Sequence, residues 1–151
     1  FYKRLNYEVR RASRYKRPLS LLFVTIDKLA NVVENFGLQG ENAVILGTGR
    51  GLLGSVRDVD IAGRCRDDCF GVILPETPRG GAEIAAERIR TRLENLSVDY
   101  KASQILLTVT VGGASLEEGI DKPDQLIALT VEALQLGIRS GGNTVNFPVD
   151  E

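Results

Sequence analysis

The chain contains no histidine, no methionine and no tryptophan, and only two cysteines, Cys65 and Cys69. Without histidine there is no imidazole base, no Ser-His-Asp triad and no ligand for most transition-metal sites. Two thiols without histidine cannot close a zinc site, so no metal centre is expected. Cys65 and Cys69 read instead as reduced thiols packed on strands, in keeping with a cytoplasmic, reducing compartment. Aromatic residues are scarce, at 6%. No apolar run approaches the roughly 20 residues of a membrane helix and no secretory leader is visible, which predicts no direct membrane contact from this segment. A net charge of −1 has no excess of one sign to attract nucleic acid. Position 1 is Phe, inside an amphipathic pattern, so the expectation is one domain (1–151) cut from a longer multidomain protein. Flanking domains of that protein are expected partners, and its full length could be membrane-attached.

What is present is an ordinary globular composition. The 151 residues are 43% apolar and 26% charged, which is one domain's worth of chain. Folding at this length buries roughly 70% of the unfolded surface, so no disulfide or metal staple is needed.

Hydrophobic spacing predicts a helix over 1–17, ended by Pro18. Ser20 to Ile26 is a continuous apolar run, as for a strand covered on both faces. A short helix over 28–36 stops at Gly37. A second, over 41–56, carries Gly47, Gly49, Gly51 and Gly54, which predicts close packing or an irregular segment. Val59–Cys65 and Cys69–Leu74 read as a hairpin around Arg66-Asp67-Asp68. A helix follows over 79–96, then a buried strand over 105–113. Asp124 is expected to cap a helix through about Ile138, and a short strand over 144–147 closes the chain. Helices alternating with strands, plus one hairpin, predict an α+β sandwich on a mixed sheet.

Several segments, in order, carry a family resemblance. They are Arg11-Ala12-x-Arg14…Pro18-Leu19-Ser20-Leu21-Leu22, Phe36-Gly37, Asp60…Arg64…Phe70…Leu74-Pro75-Glu76-Thr77, Ala86-Glu87-Arg88-Ile89-Arg90, Thr108-Val109-Thr110-Val111-Gly112 and Glu132-Ala133-Leu134…Ser140-Gly141-x-Asn143. Together they resemble the GGDEF domain of diguanylate cyclases. The resemblance implies a nucleotidyl cyclase-like fold, a five-stranded mixed sheet surrounded by helices with a signature hairpin. Active members join two GTP molecules, one from each of two facing domains, through metal-assisted phosphoryl transfer.

The same resemblance implies that the chemistry is altered here. Arg66-Asp67-Asp68-Cys69-Phe70 stands where the family has Gly-Gly-Asp-Glu-Phe. Thr25 stands at the first metal-binding carboxylate, and Asp68 at the second. Val33 and Asn42 occupy the guanine-reading positions, and Ile138 and Gly142 the phosphate-gripping Lys and Arg. The expectation is a degenerate GGDEF domain with no catalytic residues, no cofactor and no requirement for Mg²⁺. Asp68 also reads simply as a turn residue.

One family feature remains intact. Arg57-Asp58-Val59-Asp60 keeps the Arg-x-x-Asp of the family's inhibitory product site, with Arg88 at the matching helix position. An Arg fork suits a phosphodiester or the O6/N7 edge of guanine, and a carboxylate can accept from the N1–H and N2–H₂ edge. The implied function is a cyclic di-GMP receptor binding through Arg57, Asp60 and Arg88, with a homodimer partner or neighbouring domain able to complete the site. Alternatives stay open. Arg-x-x-Asp also reads as a solvated polar loop, and the domain as a dimerisation or protein-interaction module without nucleotide. A further alternative is a weak GTP-binding cyclase using Asp68 and Asn42.

Overall fold

The computed structural model describes residues 1–66 and 68–149, so Asp67 of the expected signature lies outside the described residues. Four helices and seven strands run in the order α1 (Tyr2–Tyr15), β1 (Leu19–Ile26), α2 (Leu29–Leu53), β2 (Ile61–Arg66), β3 (Cys69–Pro75), α3 (Arg79–Glu94), β4 (Ser97–Tyr100), β5 (Ser103–Leu106), β6 (Val109–Ser115), α4 (Pro123–Arg139) and β7 (Val145–Asn146). The central sheet is ordered β2-β3-β1-β6-β7. Its first four strands are antiparallel, and β7 joins β6 in parallel, so the sheet is mixed.

Strand alternation sorts the core into two layers. Leu22, Val24 and Ile26 of β1 face one side, with Val44 and Leu52 of α2 and Ile89 and Leu93 of α3. Leu21 and Phe23 face the other, with Leu5 and Val9 of α1 and Leu126 and Leu134 of α4. Every β1 residue is buried, as the unbroken apolar run predicts for a central strand. Each large side chain removed from water there contributes about 1.5–3 kcal/mol.

The helix break expected at Gly37 is a kink within α2, where Gly37 takes φ +73°. The glycine-rich half beyond it is helical, and its glycines mark close packing. A Cβ at Gly47 would lie 2.7 Å from Val98, and one at Gly51 equally near Leu93.

Two expectations need correction. The apolar run over 105–113 is two strands: β5 pairs with β4 in a separate hairpin, and β6 enters the central sheet. The hairpin turn carries Lys101 at φ +54° and no glycine, so it shows no turn signature in sequence. Asp124 is not the cap of α4. Lys122 precedes Pro123 at the start of the helix, and the Gln125 side chain accepts the Asp121 and Lys122 backbone N–H groups. Proline is favoured at the first helical position, where it moves the cap upstream.

Candidate functional site

The α2–β2 loop is built around one carboxylate. Asp60 Oδ2 accepts the Arg57 backbone N–H at 2.8 Å and Nε at 3.3 Å, and Oδ1 accepts Nη2 at 2.9 Å. The Asp60 N–H returns to the Arg57 carbonyl at 3.0 Å, closing the turn. The Asp60 side chain is fully buried, whereas that of Arg57 is 51% exposed. Arg57 Nη2 also donates to Thr77 Oγ1 at 2.8 Å and reaches the Pro75 carbonyl at 3.4 Å. The loop is therefore tied to the β3–α3 connection, and the guanidinium is held flat with Nη1 free among the described residues.

Arg88 projects from α3 onto the same loop, its Nε donating to the Ser55 carbonyl at 3.1 Å. Its two terminal nitrogens bond nothing among the described residues. With Ile84, Glu87, Thr91 and Arg92 it lines a shallow cavity of about 560 Å³. A Cβ at Gly54 would lie 3.2 Å from Arg92 Nη2, so Arg92 borders the loop as well. Sequence reasoning missed Arg92, although its spacing of four from Arg88 puts both on one helix face. Glu87 pairs with Arg90, whose hydrogen bond holds the Glu87 carboxyl below the usual carboxylate range.

The hairpin tip lies at the end of β1. Thr25 pairs with Cys69 across β1 and β3, and its hydroxyl donates to the Asp68 carbonyl at 3.1 Å. Thr25 and Asp68 do come together, through a hydroxyl and a backbone oxygen. Arg66 and Asp68 are exposed, and between Arg64 and Arg66 the β2–β3 register shifts, leaving Cys65 in a bulge. Asn42 is exposed on α2, Val33 is half-buried there, and Ile138 is exposed near the end of α4. Gly142 has φ +78°, and a Cβ there would lie 2.8 Å from Asp27 Oδ1, so no side chain fits without strain.

This donor set does not suit Mg²⁺, which takes hard oxygen ligands, carboxylates foremost. The Thr25 hydroxyl is neutral and already bonded. Among the described residues, no group of three acidic, histidine or cysteine side chains could hold a metal.

Asp27, two residues beyond Thr25, is a structural hub that sequence reasoning did not single out. Its carboxylate accepts Thr108 Oγ1 at 2.7 Å, Thr110 Oγ1 at 2.6 Å and the Asn143 N–H at 2.8 Å. Asn143 Oδ1 in turn accepts Arg90 Nη1 at 2.8 Å. The Thr-x-Thr alternation at 108–110, which aims both hydroxyls to one side of the chain, was the available signal.

An antiparallel core strand flanked by a signature hairpin, with helices on both faces, defines a nucleotidyl cyclase-like domain. The chain matches the sequence pattern of the family described as "Diguanylate cyclase, GGDEF domain" over residues 1–144, and it belongs to that family. It is 26% identical over 141 residues to diguanylate cyclase A of Treponema denticola, covering 93% of this chain and 38% of that protein. The chain thus spans well under half the length of the curated relatives it matches. In structure it is similar to the active GGEEF domain of a diguanylate cyclase from Vibrio cholerae, with TM-score 0.91 at 21% identity, covering 99% of this chain and 95% of that one. It is also similar to the GGDEF domain of DgcB from Caulobacter crescentus in complex with c-di-GMP, with TM-score 0.89 at 19% identity, covering 95% and 85%. Among the described residues, no helix is long and apolar enough to cross a membrane.

Proposed function

We propose that this domain is a non-catalytic receptor for cyclic di-GMP, binding the dinucleotide at the Arg57–Asp60 loop and Arg88. The observation that carries the reading is the loop itself. A fully buried Asp60 carboxylate holds Arg57 by its backbone and its fork, while guanidinium N–H groups of Arg57 and Arg88 with no partner among the described residues stand beside one turn. Such forks suit the two phosphodiesters or guanine O6/N7 edges of the ligand. A related GGDEF domain, that of DgcB, is known in complex with c-di-GMP. The neutral hydroxyl at Thr25 and the turn at Gly142, where a side chain would be strained, support the absence of cyclase chemistry.

Binding here would bias the geometry of flanking domains, because a ligand shifts only equilibria whose states it binds differently. Calorimetric titration with cyclic di-GMP is the test, and no binding heat at tens of micromolar ligand sinks the proposal. Incubation with GTP and Mg²⁺ tests the enzymatic alternative, since detectable product overturns the non-catalytic reading.

One observation favours a second reading. The Asp60 carboxylate is saturated by Arg57, so guanine can reach it only if Arg57 swings away. If no ligand binds the outward guanidinium groups, the ion pair is a structural clasp and the domain serves dimerisation or protein interaction without nucleotide. The same titration separates the two.

A further inference from the structure

The hairpin that carries the altered signature also carries both thiols of the chain, and the bulge brings them into contact. Arg64 pairs with Phe70 and Arg66 with Cys69, so Cys65 is the extra residue opposite Cys69. The two Sγ atoms are 2.7 Å apart, with both cysteines as free thiols. Cys69 is buried between the strands, whereas Cys65 is half-buried. In a regular antiparallel ladder, neighbouring strand positions alternate faces, and the bulge is what turns Cys65 toward its partner. Neither thiol has a role in the site proposed above.

We propose that Cys65 and Cys69 form a reversible dithiol–disulfide couple across the hairpin bulge, oxidised by low-molecular-weight disulfides. Cys65 is the attacking thiol. It is the more exposed of the two, and its pKa is lowered by the hydrogen bond it shares with Cys69, with the Arg66 charge adding to the effect. The hydrogen bond with Cys65, followed by burial, pushes the Cys69 thiol up, so it acts as the resolving partner. The groups around the pair are the Tyr2 hydroxyl, Arg66 and Asp68.

In the first step the Cys65 thiolate attacks one sulfur of the small disulfide. That S–S bond breaks, a small thiolate leaves, and a mixed disulfide forms on Cys65. In the second step Cys69 gives up its proton to the departing thiolate and attacks Cys65 Sγ, expelling the second small thiol. The protein loses two protons and two electrons, and one small disulfide becomes two thiols. The bond ties β2 to β3 across the bulge, beside the Asp68 carbonyl that accepts the Thr25 hydroxyl.

The test equilibrates the full chain with glutathione buffers of rising oxidised fraction, quenches with iodoacetamide and reads the intact mass. The expected product is a monomer lacking two hydrogens and carrying no alkyl group, which dithiothreitol returns to the doubly alkylated form. Double alkylation at every buffer composition, a lasting glutathione adduct, or disulfide formed only between chains would each overturn the proposal. In Cys69→Ser the glutathione adduct should accumulate on Cys65. In Cys65→Ser, adduct formation at Cys69 should slow at least ~10-fold, and an unchanged rate would overturn the assignment of roles. Should either variant misfold, the wild-type measurement still decides whether the couple exists.

Discussion

Two ends of one strand pair make opposite use of charge. At the β2 entrance, the buried Asp60 carboxylate holds Arg57, and Arg88 of α3 stands nearby with terminal nitrogens that bond nothing among the described residues. At the β2 exit, the hairpin tip meets β1 through a neutral hydroxyl and a backbone carbonyl, and the turn after α4 offers a glycine to Asp27 rather than a cation to a phosphate. The first end turns guanidinium groups of Arg57 and Arg88 toward solvent. The second has folded its polar groups inward on one another. Both ends keep their inner hydrogen bonds, and they differ in which polar groups they leave facing outward.

The strongest challenge to this contrast is to restore cations at the second end. Gly142→Arg should cost about 2–4 kcal/mol of stability, from positive φ and from a Cβ placed against the Asp27 carboxylate. Urea unfolding measures it, and a midpoint equal to the parent's would show that the turn tolerates the family residue.

At the first end, Arg57→Ala should weaken cyclic di-GMP binding by at least ~1.5 kcal/mol, more than tenfold in Kd. Unchanged affinity by calorimetry would remove Arg57 from the site. Arg88→Ala should cost somewhat less, about 1 kcal/mol, because Arg88 is anchored by one backbone bond alone.

The smallest effect concerns acid. Arg90 holds the Glu87 carboxyl below its ordinary value, so the folded state releases that proton more readily than the unfolded chain. Its contribution is present above the ordinary carboxylate pKa and is lost as pH falls through the lower folded value. Glu87 is about half exposed, and after solvent screening no more than a few tenths of a kcal/mol is expected. Comparing acid unfolding of the parent with Arg90→Ala reads it as a slightly flatter pH profile.

The sheet, its hairpin and the helix break at Gly37 were legible because period-two and period-3.6 patterns and glycine stops are local signals. The β4–β5 hairpin was not legible, since its turn uses Lys101 in a left-handed conformation where sequence rules look for glycine. The Arg-x-x-Asp of the α2–β2 loop was singled out by the family resemblance, but the direction of its bond was not legible. Only the fold shows that Asp60 faces inward and that Thr77 completes the clasp. Asp27 and the Cys65 bulge escaped for a related reason. Each depends on pairing between segments far apart in sequence or on a register shift that composition does not encode.

The Asp27 hub bears on where the domain can be cut. β7 has two residues and contributes little ladder of its own. The Asn143 N–H bond to Asp27 and the Arg90 bond to Asn143 hold the chain in place just before it. A truncation ending at Gly142 would strip the half-buried Asp27 carboxylate of one of its three donors and expose β6 as a bare sheet edge. Expression boundaries for this domain should therefore run past Phe147, and a shorter fragment would tend to self-associate along that edge.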